Sequence, residues 1–94
     1  MNKPKLVSIT ESPLSDKKYK AQFTDGKVVH FGAKGYSDYT IHKNEERKRL
    51  YILRHKKNED WNNPFTAGSL SRFVLWNLPS LKESIADYKK RFNL

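Results

Sequence analysis

The dipeptide Asp25-Gly26 lies between two runs in which apolar and polar residues alternate, residues 18–24 and 27–31. Asp-Gly between such runs is the strongest short-range signal for a β-hairpin, because both central positions of its turn favour residues that tolerate a positive φ. The sequence therefore predicts two antiparallel strands joined at this point.

The length of the turn decides which side chains share a face. A two-residue turn pairs Phe23 with Val28 and divides the apolar side chains between both faces of the hairpin. A three-residue loop of residues 24–26, with Gly26 in the left-handed conformation, pairs Phe23 with Lys27 instead. This second register places five apolar side chains together: Tyr19, Ala21, Phe23, Val29 and Phe31. We prefer it because it gives the sheet one face for a core.

A third strand precedes the hairpin. Residues 5–10, KLVSIT, predict a strand with Val7 and Ile9 on one face, followed by turn-forming residues at 12–16. The three strands then form an antiparallel meander. The glycines of residues 32–35 are expected to end the sheet and let the chain turn, since GAKG lacks the spacing of a phosphate-binding loop.

Residues 44–57, NEERKRLYILRHKK, predict the central helix. Asn44 is a good N-cap, and the helix dipole favours the acidic residues of the first turn and the basic residues of the last. At about 100° per residue, Leu50 and Leu53 face one side while Tyr51 faces another. We therefore expect this helix to lie between the N-terminal and C-terminal parts of the chain, with neighbours on two sides.

Two further helices follow. Thr66 is the expected N-cap of the first, with Phe65 and Leu70 forming a hydrophobic staple across its start. This helix should be the most buried, because its residues are apolar nearly all round: Leu70, Phe73, Val74, Leu75 and Trp76. A capping box at Ser80 and Glu83 begins the second, whose apolar face consists of Leu81, Ile85, Tyr88 and Phe92.

These elements predict one small basic α+β domain, residues 1–94, in which an N-terminal three-stranded antiparallel β-meander packs against three C-terminal helices. Ser37-Asp38 is expected to cap a short helical turn before the central helix. A chain of 94 residues can bury a modest core, and its two Trp, five Tyr and five Phe argue against disorder.

The charge is strongly one-sided. Nineteen Lys and Arg oppose ten Asp and Glu, for a net charge of +9 and a pI near 9.9. Such a field favours polyanions such as DNA or RNA, an anionic membrane surface or an acidic protein. The absence of cysteine excludes disulfides and thiolate metal sites and suits a reducing, intracellular setting. Neither a signal peptide nor a membrane-spanning run is expected, so we predict that the protein is not secreted.

The bases concentrate on two predicted helices, where we expect them to contact nucleic acid: Arg47, Lys48, Arg54, Lys56, Lys57, Lys89, Lys90 and Arg91. The alternative is a solvated face whose long stems pack over apolar surface. Trp61, in a polar loop, and Phe65 are candidate protein contacts, although a loop tryptophan packed against the core explains Trp61 equally well.

No catalytic or metal-binding pattern emerges. His30, His42 and His55 are scattered, without the spacing of metal ligands, and no motif for a nucleophile or a phosphate-binding loop is present. Glu46 with Arg47 and His42 suggests a nuclease cluster, but helix capping and dipole matching explain the same residues. We therefore predict neither an enzyme nor a cofactor.

Three motifs carry a resemblance: YxxRHKK at residues 51–57, TAGxLSR at 66–72 and LWNxPSL at 75–81. From about residue 19 to residue 92, the chain resembles a family of small basic proteins encoded by nucleocytoplasmic large DNA viruses of algae and amoebae. The resemblance implies an uncharacterised virion or minor capsid protein, found in the virion and inside the infected cell. It supplies no catalytic residue.

Two functions are therefore expected. The first is a non-enzymatic basic module of a large DNA virus particle that contacts the backbone of DNA or RNA without sequence specificity. The alternative is a minor capsid or structural adaptor whose bases meet acidic virion proteins without nucleic acid. A nuclease is a third, weaker option. Neither the partner nor the oligomeric state follows from the sequence.

Overall fold

The computed structural model describes residues 3–94. Three strands form one antiparallel sheet in the order β1-β2-β3, with β1 at Leu6–Glu11, β2 at Lys17–Phe23 and β3 at Val28–Ala33. The predicted meander is therefore confirmed.

The hairpin between β2 and β3 has the preferred register. Tyr19 pairs with Phe31, and the backbone N–H of Phe23 donates to the carbonyl of Lys27 over 2.9 Å. Gly26 has a φ of 90°, as a three-residue loop with a left-handed last position requires. All the apolar residues of the hairpin that we expected to share a face therefore do so.

The first strand differs from the prediction at Val7. The pairing with β2 shifts by one residue between Leu6 and Ser8, which marks a β-bulge at Val7. Leu6 is buried and Ile9 packs against the core, whereas Val7 is 62% exposed. The prediction that Val7 and Ile9 share a face is wrong, because the extra residue of a bulge reverses the alternation of side chains.

Four α-helices follow the sheet: α1 at Tyr39–His42, α2 at Glu45–His55, α3 at Ala67–Leu70 and α4 at Leu81–Phe92. A 3-10 turn, Lys56–Asn58, extends α2, and a π-helical segment, Ser71–Leu75, continues α3. Among residues 3–94, no helix is both long and apolar enough to cross a membrane.

The predicted helix starts are confirmed. Asn44, Thr66 and Ser80 each accept a hydrogen bond from a backbone N–H in the first turn that follows. Asp38 caps α1 in the same way, with the N–H of Thr40 at 2.9 Å. A polar cap satisfies donors that have no partner inside the helix, so these short sequence signals locate each helix correctly.

The core lies between the apolar face of the sheet and the C-terminal helices. Its buried side chains are Leu6, Ala21, Phe23, Phe31, Leu70, Phe73, Val74, Leu75 and Tyr88. The hydroxyl of Tyr88 donates to the carbonyl of Pro64 over 2.6 Å, which ties α4 to the loop before α3. The predicted burial of the helix after Thr66 is confirmed, as is the apolar face of α4.

The sheet ends at Ala33, within residues 32–35 as expected, although Gly32 itself still lies inside β3. The φ of Gly32 is 80°, and a Cβ at this position would lie 2.8 Å from Cδ1 of Leu75. The glycine therefore allows the π-helical segment to approach the strand more closely than any other residue would.

The central helix α2 is less buried than predicted. Tyr51 is its one buried residue, whereas Leu50 is 39% and Leu53 is 54% exposed. The ring of Tyr51 stacks on Trp76 with centroids 4.4 Å apart. The expectation of neighbours on two sides is wrong, because Tyr51 is the one buried residue of the helix while Leu50 and Leu53 are exposed.

Candidate functional site: a basic cleft beside the second helix

A cleft of about 680 Å³ opens beside α2. Residues of β2, β3, α2, α3 and the π-helical segment line it, and its apolar lining includes Phe31, Leu75 and the rings of Tyr51 and Trp76. This volume is within the range of about 300–1,000 Å³ that is typical of ligand sites. We refer to it below as the basic cleft.

Cations stand on two sides of the basic cleft. Arg47 and Arg54 come from α2, about two turns apart and therefore on one face of the helix, and Lys17 comes from the start of β2. None of the three forms an ion pair within residues 3–94. Both arginines are exposed. Their charges are therefore available to an anion that enters the cleft.

One carboxylate of the cleft is already neutralised. Asp38, 2% exposed, accepts a hydrogen bond from Nζ of Lys18 over 2.6 Å while it caps α1. This ion pair holds α1 against the sheet. Breaking it by removing one partner would leave the other charge buried and unpaired, so we assign it a structural role.

Three stacked aromatic rings, His55, Tyr51 and Trp76, connect α2 to the protein body, and the tilted ring of His42 adjoins them. His55 lies 4.3 Å from Tyr51, Tyr51 lies 4.4 Å from Trp76 with their planes 2° apart, and Trp76 lies 5.2 Å from His42. Burial raises the pKa of Tyr51 to about 12, and the negative charge of Glu59 acts in the same direction. The phenol of Tyr51 is therefore neutral at physiological pH. His55 forms the outer end of the stack and lines the cleft.

The ring of His42, beside Trp76, is also uncharged. Nδ1 of His42 accepts a hydrogen bond from the N–H of Asn44 over 2.9 Å. Burial lowers the pKa of His42, and the nearby charge of Arg47 lowers it further. His42 therefore supports the start of α2 as a neutral ring.

The rim of the cleft holds two residues that the sequence analysis did not select. Tyr36 is 74% exposed, in the turn after β3. Glu59 packs so closely on Gly68 that a Cβ on that glycine would lie 2.0 Å from Oε2 of Glu59. Neither Glu59 nor Lys17 carries a sequence signal of its own. Tyr36 could have been selected from the sequence. It is an aromatic residue between glycine and serine in a predicted turn, where no apolar neighbour suggests a place in the core.

The structure separates the predicted bases of α2. Arg47 and Arg54 line the cleft, whereas Nζ of Lys48 donates to the carbonyl of Asn77 over 2.6 Å and lies 4.8 Å from the ring centre of Tyr39. Lys48 therefore helps to dock the helix. The remaining two, Lys56 and Lys57, are exposed in the 3-10 turn after α2.

The predicted bases of α4 gather at its C-terminal turn: Lys89, Lys90 and Arg91. Two more bases join them from the N-terminus, since Nζ of Lys3 donates to the carbonyl of Phe92 over 2.6 Å and Nζ of Lys5 donates to that of Asn93 over 2.8 Å. The negative end of the helix dipole attracts all these cations. Lys3 and Lys5 were missed because nothing in the sequence relates them to the far end of the chain.

Arg72 connects this helix end to the core. Its guanidinium lies 5.5 Å from the ring centre of Trp61 and 5.1 Å from that of Phe73, and it donates to the carbonyl of Trp76 over 2.8 Å. Burial lowers the pKa of Arg72, and the charge of Arg91 adds to the effect. Arg91 itself is partly neutralised by an ion pair of 3.1 Å with Asp87.

Trp61 and Phe65 both pack against the core. The ring of Trp61 meets Phe73 edge-on at 6.5 Å, and the ring of Phe65 meets Phe23 edge-on at 5.1 Å. Both remain partly exposed. These contacts favour the alternative of a packed loop tryptophan, and the contact of either residue with a protein partner stays a prediction.

Few of the bases are neutralised. Within residues 3–94, which contain all nineteen Lys and Arg, the ion pairs are Lys18 with Asp38, Arg49 with Glu46 and Arg91 with Asp87. Glu46 is thus held by Arg49, which lowers the pKa of Glu46 through a hydrogen bond. The same part of the chain holds no group of three His, Cys, Asp or Glu side chains placed to bind a metal ion.

Comparison with known proteins assigns the chain to a family. The profile of a family of unknown function, DUF5754, matches residues 7–55, just over half of the 94 residues. The chain belongs to DUF5754. The DUF5754 match begins in β1 and ends with α2, so it contains Lys17, Tyr36, Arg47 and Arg54 of the cleft. No curated protein and no solved structure matches the chain.

Proposed function

We propose that the protein is a non-enzymatic module that binds the backbone of DNA or RNA without sequence specificity. The observation that carries the proposal is the basic cleft, where Arg47, Arg54 and Lys17 lack ion-pair partners within residues 3–94 and stand beside an aromatic lining. Phosphate contacts from such side chains supply sequence-independent affinity by releasing counterions from the nucleic acid.

We expect the predicted bases outside the cleft to supply further phosphate contacts. Lys56 and Lys57 follow α2 directly, and a second basic region surrounds the C-terminus of α4. Non-specific binding of this type has a Kd of about 10⁻⁴–10⁻⁶ M at physiological salt. We expect an affinity in this range, falling as the salt concentration rises.

The test is a salt titration of oligonucleotide binding by fluorescence anisotropy. The double variant Arg47→Glu/Arg54→Glu should bind at least tenfold more weakly than the wild type at low salt. Its affinity should also depend less on salt. Each lost phosphate contact reduces the slope of log affinity against log salt concentration by about 0.7 on a single strand. The control is Lys20→Glu/Lys82→Glu, which makes the same change in net charge away from the cleft.

The proposal fails if the wild-type protein retains no oligonucleotide at low salt. It also fails if both double variants weaken binding equally, because total charge and not the cleft would then determine affinity. Circular dichroism of each variant shows whether the fold is kept, so that loss of binding is not confused with loss of structure.

A structural adaptor that binds other proteins of a virus particle is the second candidate. Ile41 and Leu53 favour it, because they are 61% and 54% exposed on α1 and α2 and offer apolar contacts. A location in a virion rests on the resemblance to small basic viral proteins. Retention with the particle shell after nuclease digestion in high salt supports the adaptor, and release under these conditions supports the nucleic-acid module.

A further inference from the structure

We propose that the basic cleft accepts an unpaired nucleotide of a single strand, so that the protein prefers single-stranded to double-stranded nucleic acid. This inference rests on the proposed function and specifies its ligand. Cations alone do not separate the two forms, because both expose phosphates. The distinction must come from groups that contact bases.

The first such group is Tyr36. An aromatic side chain that is 74% exposed on the rim of a cationic cleft has a face available for stacking. His55 offers a second face, since it lines the cleft as the outer ring of the stack with Tyr51. Bases of a duplex are already stacked inside the helix, so only an unpaired base can stack on these rings.

The second group is the carboxylate of Glu59. It lines the cleft and forms no ion pair within residues 3–94, and its close packing on Gly68 limits where it can move. A carboxylate repels phosphate but accepts hydrogen bonds from the amino group of a base. Its presence among the cations therefore favours a nucleotide with its base in the cleft over a simple phosphate site.

The positions of the cations fit the backbone of such a strand. Arg47 and Arg54 are separated by about 10 Å along α2, and Lys17 stands on the strand side of the same cleft. Phosphates on either side of a stacked base can therefore contact α2 and β2 together. Basic grooves that follow the backbone, combined with aromatic side chains that stack on bases, are typical of proteins that bind single strands.

The experiment compares a labelled single strand of mixed sequence with a blunt duplex of the same length, by fluorescence anisotropy at one salt concentration. We expect the single strand to bind at least tenfold more tightly. Tyr36→Ala should weaken single-strand binding about fivefold or more and leave duplex binding unchanged. Tyr36→Phe, which keeps the ring, is the matched control and should bind like the wild type.

Equal affinity for the two forms overturns the inference while leaving the proposed function intact, and so does an equal effect of Tyr36→Ala on both. Binding of neither form overturns the proposed function as well. Competition by free AMP distinguishes a nucleotide within a strand from a free nucleotide as the ligand of the cleft. If AMP displaces the strand when the two are present at similar concentrations, the ligand of the cleft is a free nucleotide and the proposal is contradicted.

Discussion

Replacing Tyr51 with alanine is expected to detach α2 from the rest of the protein. Tyr51 is the buried residue of this helix, and its ring is stacked between Trp76 at 4.4 Å and His55 at 4.3 Å. Further links from α2 to the body are polar: Nζ of Lys48 donates to the carbonyl of Asn77 and lies over the ring of Tyr39, whose hydroxyl donates to Glu45. Tyr51 is therefore the one buried apolar anchor of this helix.

The size of the effect follows from this geometry. Truncating a buried aromatic side chain to alanine costs about 3–5 kcal/mol. Tyr51 borders the open cleft, where water can fill part of the space, so we expect the lower end, about 3 kcal/mol. For a domain of this length, that loss lowers Tm by roughly 12–24 °C.

Urea denaturation followed by circular dichroism measures the change in the free energy of unfolding. Tyr51→Phe keeps the ring, and the Tyr51 hydroxyl has no hydrogen bond to another residue among 3–94, so this variant should lie within about 0.5 kcal/mol of the wild type. Leu53→Ala, on the exposed side of α2, should also change stability by less than about 0.5 kcal/mol.

The reasoning is refuted if Leu53→Ala destabilises the protein as much as Tyr51→Ala. It is equally refuted if Tyr51→Ala costs less than about 1 kcal/mol, since the stack would then not be what docks α2. A further consequence concerns binding. Because Arg47 and Arg54 are carried by this helix, Tyr51→Ala should also weaken oligonucleotide binding at temperatures where the remainder of the fold is intact.

Three further predictions use the same denaturation assay. Gly32→Ala should lower the free energy of unfolding by about 2 kcal/mol or more, because the residue has a positive φ and the added methyl group would lie 2.8 Å from Cδ1 of Leu75. Gly26→Ala should cost less, because the space around Gly26 is open. Tyr88→Phe should cost about 1–2 kcal/mol by leaving the carbonyl of Pro64 without its donor, and no loss would contradict the bond. The stability that Tyr51 contributes as a neutral phenol is present below its unfolded pKa of about 10 and is lost as pH rises through its folded pKa of about 12. Wild-type stability should therefore fall more steeply than that of Tyr51→Phe over this interval, and parallel curves would refute the shift.

The fold was predictable where neighbouring residues decide the structure. The caps Asn44, Thr66 and Ser80 bond to backbone groups in the adjoining turn, so their signals do not depend on the rest of the chain. The register around Gly26 follows from the hairpin loop and from the need for one apolar face. Both could be derived from short stretches of sequence.

Burial was harder to predict, because it depends on what lies opposite a side chain. The bulge at Val7 moves Leu6 into the core, and nothing in the local pattern of β1 indicates an extra residue. Leu50 and Leu53 form an apolar pattern that suggests burial, yet the fold places no element over them. A periodic pattern predicts an element and its faces, but not whether another element will cover each face.

The candidate site shows the same division. Arg47 and Arg54 were selected from the charge of one helix, whereas Lys17 and Tyr36 join them only through the packing of β2 and the turn after β3. By itself the sequence determined the strands, the helix starts and the excess of positive charge, because these depend on composition and on contacts between near neighbours. Only the tertiary structure decided which cations remain unpaired beside exposed rings, because that depends on distances between segments far apart in the chain.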